Sequence, residues 1–154
     1  MEYGSIERQL RIEAAPEVVY EVVSRPEHIR EWWADDAEGD PVVGGTGRVV
    51  FGNPTSPEAK AEAFTVVEAD PPHRFAFRWV YDEGGTAAAD NSLLVTFDLA
   101  PAGEGTILRF SETGFRERGW EAAVLEEAYL DHTRGWDIFL PRLIAHAARL
   151  AARP

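Results

Sequence analysis

Between Glu121 and Ala152, apolar residues recur at every third or fourth position: Leu125, Tyr129, Trp136, Leu140, Leu143, Ala147 and Leu150. This spacing predicts one long amphipathic helix, with His132 as the odd polar residue on its inner stripe. The opposite stripe, Arg142, His146, Arg149 and Arg153, is polar. At the other end of the chain the period is two. Ser5 to Glu13 reads as a strand with Ile6, Leu10 and Ile12 inward and Arg8 as an exception near the sheet edge. Two short helices then open at prolines, which suit a first turn because their missing N–H would be unpaired there. Pro16 leads an apolar face of Val19, Val22 and Val23; Pro26 leads one of Ile29, Trp32 and Trp33.

Past these helices the pattern predicts an acidic, glycine-rich link over Asp35 to Gly47, then only strands and turns until the final helix. Arg48 to Phe51 is a short strand, and Asn53-Pro54-Thr55-Ser56-Pro57 a turn. Ala61 to Ala69 is apolar on both parities, so its inward face stays open. Arg74 to Tyr81 is the clearest strand, with Phe75, Phe77, Trp79 and Tyr81 on one face. A mobile hairpin loop is expected over Asp82 to Asn91. Ser92 to Leu99 follows with Leu93, Val95, Phe97 and Leu99 inward. A turn at Pro101 to Gly105 leads to Thr106 to Glu112, with Leu108 and Phe110 inward. Connections this short pair strands antiparallel. The long helix needs a concave partner and the chain offers only strands. The expectation is an α+β fold: a curved antiparallel sheet of about six or seven strands wrapped around the C-terminal helix. One domain spans residues 1–154.

Composition narrows the chemistry. The chain has no cysteine, which excludes thiol nucleophiles, thiolate metal sites and disulfides together. Its net charge of −12, from 27 acids against 15 bases, repels phosphates and argues against nucleic acid or an anionic membrane as partner. No apolar run is long enough to span a bilayer and no signal peptide opens the chain, so a cytoplasmic location is expected. The histidines show no metal-ligand spacing, and neither a phosphate loop nor a nucleophile elbow occurs. No metal and no cofactor are expected.

Two polar residues fall on faces that should be apolar. Glu112 has the parity of Leu108 and Phe110, and His132 lies one turn before Trp136 with Tyr129 a turn earlier. Glu112, His132 and Tyr129 are therefore candidates for a small polar cluster in a cavity, with Glu112 and His132 as an acid–base pair. The plain alternative puts both at the cavity mouth, solvated or paired with an arginine. The aromatics Trp33, Phe51, Phe64, Phe75, Phe77 and Trp79, continued by Phe97, Phe110 and Trp136, read as solid core or as the wall of a pocket. Trp32-Trp33 reads as a gate beside Asp35 and Asp36, or as one packed ring and one partly exposed. His28 and His146 are expected at the surface. Pro141 removes a backbone bond inside the long helix, so a kink near Asp137 is expected, with Gly135 beside it.

Several stretches add a resemblance. Ala15-Pro16-Glu17-Val18-Val19-Tyr20, Pro26-Glu27-His28-Ile29-Arg30-Glu31-Trp32-Trp33 and Val43-Gly44-Gly45 form its opening. Glu68-Ala69-Asp70-Pro71-Pro72-His73-Arg74-Phe75 with Trp79, then Gly105-Thr106, Gly114-Phe115 and Gly135-Trp136, complete it. Their order resembles the helix-grip plan of the START and birch-pollen-allergen-like (SRPBCC) superfamily. Within it the chain is similar to homologues of the C-terminal domain of the activator of the ninety-kilodalton heat-shock protein ATPase. The resemblance implies a cavity between sheet and helix, and tips the aromatics towards a pocket wall.

The leading expectation is a non-enzymatic domain binding a small apolar or aromatic molecule. Trp33, Phe51, Phe64, Phe75, Phe77 and Trp79 would line the site, with Val95, Phe97, Leu108 and Phe110 beside them. Glu112, Tyr129, His132, Trp136 and Leu140 would complete it. An aromatase/cyclase- or dehydratase-type enzyme using Glu112 and His132 stands as the alternative, and a chaperone-interacting module as the third. A homodimer is left open.

Overall fold

The computed structural model describes residues 3–53, 55–81 and 85–152. Strand β1 (Ser5–Ile12) leads to helices α1 (Pro16–Ser24) and α2 (Pro26–Trp32). Strands β2 (Asp36–Gly39), β3 (Thr46–Phe51), β4 (Lys60–Asp70), β5 (Arg74–Trp79), β6 (Leu93–Ala102) and β7 (Gly105–Thr113) follow, and helix α3 (Ala122–Ala151) closes the chain. The strands form one 7-stranded sheet in the order β1-β7-β6-β5-β4-β3-β2, antiparallel throughout. Helix α3 packs on the sheet face that carries Phe77, Val95 and Phe110, giving the expected helix-grip arrangement. Pro54, the loop positions 82–84 and Arg153 lie outside the described residues.

Local chemistry explains both the agreements and the departures. β1 is an edge strand, and Arg8 reaches α3 to make a two-pronged pair with Asp137, Nε to Oδ1 at 3.0 Å and Nη2 to Oδ2 at 3.2 Å. The link over residues 35–47 contains a strand that hydrophobic pattern does not announce. Asp36-Ala37-Glu38-Gly39 has a single apolar side chain, and it is a strand because its backbone pairs with β3. Glycine is required there, since a Cβ on Gly47 would stand 2.4 Å from Cζ of Phe64. β4 is apolar on both parities because its register slips between Val66 and Glu68: Phe64 and Val66 face inward before the bulge, and Ala69 sits opposite Phe75 after it.

Other expectations need correction. β5 ends at Trp79, two residues early, because Val80 takes φ 59°, and Tyr81 leaves the inward row for a 2.7 Å hydrogen bond with Thr65. Trp32 and Trp33 are both buried, at 2% and 6% exposure, so neither ring is the partly exposed one. The Trp32 indole is fixed by donating to the Val22 carbonyl at 2.9 Å. His146 is buried rather than at the surface, because α1 and α2 pack on α3 there, and its Nε2 lies 3.0 Å from Nδ1 of half-buried His28. Pro141 lies inside α3, which continues on both sides of it, and the expected bend near Asp137 is not at odds with that span.

Candidate functional site

Strand parity carries Glu112 of β7 into the centre of the concave face, opposite Val95 of β6. It is fully buried, with 0% exposure. A carboxylate in such a place is tolerable only if hydrogen bonds replace water. Three N–H groups do so. The Trp79 indole donates to Oε2 at 2.7 Å, and the Trp136 indole and the His132 Nδ1–H donate to Oε1 at 2.8 Å each. His132 and Trp136 converge on one oxygen because they lie four residues apart, one turn, on the inner side of α3.

The hydrogen bond to Glu112 fixes the imidazole. With Nδ1–H committed to the carboxylate, Nε2 is the nitrogen left on the partly exposed side of the ring. Burial works against charge on His132. The hydrogen bond to Glu112 and the nearby carboxylates of Glu112, Asp131 and Glu62 prevail, and hold its pKa above the ordinary imidazole value.

Beside this cluster a half-open pocket of about 280 Å³ lies between α3 and the sheet. Trp33, Phe51, Trp79, Trp136 and Phe139 form its aromatic walls. Trp33 stands 4.9 Å from Trp79 and 5.2 Å from Trp136 by ring centroids, so the short second helix supplies the ring that joins sheet to helix. The polar part of the lining is Lys60, Glu62, Asp131 and His132. Val80 completes one side with its φ of 59°. That conformation costs a β-branched residue on the order of 1–3 kcal/mol. Arg118 holds it in place by donating to the carbonyls of Val80 and Asn91.

Of the residues singled out from sequence, Trp33, Phe51, Trp79, His132 and Trp136 meet in this pocket. Glu112 sits behind its wall. Phe64, Phe75, Phe77, Val95 and Phe97 are buried in the packed core, as are Leu108, Phe110 and Leu140. Tyr129 does not join the Glu112–His132 cluster: its hydroxyl donates to the Ser5 carbonyl at 2.8 Å and its ring packs on Tyr3 and Phe115. The cause is register, since Tyr129 lies one turn beyond His132 towards the free end of β1. Lys60, Glu62, Asp131 and Phe139 were missed. Lys60 and Glu62 share the parity of inward Phe64 and Val66, and the bulge at the far end of β4 hid that signal.

Among the described residues no group of three or more histidines and acids is placed to hold a metal, and no helix is long and apolar enough to cross a membrane.

Comparison with known proteins bears on the same region. The sequence profile described as "Activator of Hsp90 ATPase homolog 1-like protein" matches residues 13–148. No curated protein matches the chain. Among solved structures, a protein from Mesorhizobium loti aligns at TM-score 0.73 and 21% identity, covering 94% of this chain and 97% of that one. A protein from Nitrosomonas europaea aligns at TM-score 0.75 and 15% identity over 99% of both chains. The Aha1 dimer from Colwellia psychrerythraea aligns at TM-score 0.68 and 21% identity, over 94% of this chain and 96% of that one.

Proposed function

Because the chain belongs to the Activator of Hsp90 ATPase homolog 1-like family of the SRPBCC superfamily, we propose that it binds a small aromatic or apolar molecule in the pocket beside Trp136. The carrying observation is the pocket itself: aromatic walls around about 280 Å³, with Lys60 and Glu62 contributed by the sheet and His132 by α3. Ligand sites combine apolar walls with a few convergent polar groups, and this volume suits a one- or two-ring molecule. Glu112 serves the site from behind by holding Trp79, His132 and Trp136 in place.

Native mass spectrometry of protein purified from its own host should show a bound small molecule. Titration with 2-naphthol should quench the tryptophan emission of wild type and far less that of Trp33→Ala. If no adduct is found and 2-naphthol leaves the emission unchanged, the reading fails.

A second reading, an enzyme with Glu112 and His132 as acid and base, is favoured by the 2.8 Å contact between them. The burial of Glu112 limits that residue to acting through His132. A chaperone-related role rests on the family's name and on the acidic chain, which would suit a basic partner. Absence of any ATPase stimulation would remove it. A homodimer is carried over from the Colwellia relative, which is described as a dimer, and light scattering tests it.

A further inference from the structure

Glu62 is the carboxylate that the pocket leaves unused. It is half-buried, shares the inward parity of Phe64 and Val66, and lines the aromatic pocket together with His132. No hydrogen bond or ion pair occupies it among the described residues. It also borders a polar groove of about 850 Å³ along β3 and β4, so it has a route to water on the side away from the rings. His132 is the converse. Its Nδ1–H is tied to Glu112, and its Nε2 is the nitrogen left for a molecule in the pocket. An acceptor of protons and a donor of one thus line the same half-open aromatic pocket.

We propose that this pocket enolises small aromatic ketones, with Glu62 as the base at the α-carbon and His132 as the acid at the carbonyl oxygen. The inference rests on the pocket reading above and adds a reaction to it. The Glu62 carboxylate takes the α-proton, and the C–H electron pair becomes the carbon–carbon double bond. The carbonyl π pair moves to oxygen, which takes the proton from His132 Nε2. The reverse path restores the ketone, so no oxidant, reductant or co-substrate is consumed. Solvent exchange of the Glu62 proton through the outer groove replaces the α-hydrogen with one from water. Glu112 does not touch the ketone. It is a positioning residue that keeps His132 in the tautomer and charge state that donates.

The electrostatics agree with the roles. Burial raises the Glu62 carboxyl above the ordinary carboxylate value, against the opposing pull of His132, Arg118 and Lys60. Burial opposes charge on His132, but the hydrogen bond to Glu112 with the charges of Glu112, Asp131 and Glu62 keeps its pKa raised. A strengthened base and an acid whose protonated form is favoured suit these two roles.

The test is hydrogen exchange of phenylacetone in deuterated buffer, followed by loss of its benzylic proton NMR signal, with tryptophan quenching by the same ketone as the binding readout. Wild type should accelerate exchange. Glu62→Gln should retain binding while losing on the order of a hundredfold in rate, the usual contribution of a general base. Glu112→Gln should shift the descending limb of the pH–rate profile to lower pH, which a merely structural role would not do. Binding without acceleration, or acceleration undiminished in Glu62→Gln, would overturn the enolisation and leave the ligand pocket standing. Neither binding nor exchange would overturn the reaction and count against the pocket reading as well.

Discussion

The two halves of α3 carry the same apolar stripe to different ends. Over its C-terminal half, Leu140, Leu143 and Ala147 are almost wholly buried, and α1 and α2 close on that half from the side. Over its N-terminal half, Leu125, Tyr129 and His132 are only half-buried, and the pocket opens beside His132, Gly135 and Trp136, towards the middle of the helix. One half is solid packing; the other encloses a gap whose aromatic walls are pinned to a buried carboxylate. Periodicity alone does not distinguish them. The difference arises from what faces each half: small helices on one side, large rings and a charge on the other.

Substitutions should separate the halves. The largest effect belongs to Glu112→Leu, which strands two indole N–H groups and an imidazole and should cost about 3–5 kcal/mol in urea unfolding. Leu143→Ala, in the solid half, should cost about 3 kcal/mol while leaving quenching by 2-naphthol unchanged. Loss of binding in that variant would break the distinction.

Stability should also fall as pH rises, through groups of the pocket half. His132 has a raised folded-state pKa, so its contribution is complete below the ordinary imidazole value and is lost as pH climbs through the folded value. Glu62, raised chiefly by burial, acts in the same direction because ionising it costs the folded state. The urea midpoint should drop as pH rises above the ordinary imidazole value in wild type and drop less in His132→Gln. An unchanged slope in that variant would place the titration elsewhere. The smallest effect is expected of Gly135→Ala. A Cβ there meets only Phe139, at 3.9 Å, so helix stability should rise by about 0.5–1 kcal/mol as the pocket narrows and 2-naphthol binds less tightly.

The same contrast shows what sequence reading reaches. The long helix, the two short ones and the inward rows of β5, β6 and β7 follow from period and proline chemistry. So does the inward direction of Glu112. The strand at residues 36–39 was not legible, because its stability lies in pairing with β3 rather than in its own side chains. Lys60 and Glu62 were hidden by a register slip further along the same strand, between Val66 and Glu68, which no periodicity count resolves. The burial of His146 depends on three helices meeting, a contact absent from any single segment's pattern. Tyr129 was assigned to the right face of α3, but at the wrong height along it.

The sheet has two open edges, and each is built to stay that way. β2 is four residues long and carries Asp36 and Glu38, while β1 turns the guanidinium of Arg8 inward, where Asp137 neutralises it. A further strand adding to β1 would have to share its lateral surface with this charge, and one adding to β2 would find few backbone groups to pair. The ion pair that ties β1 to α3 thus also acts as a guard against edge-to-edge aggregation.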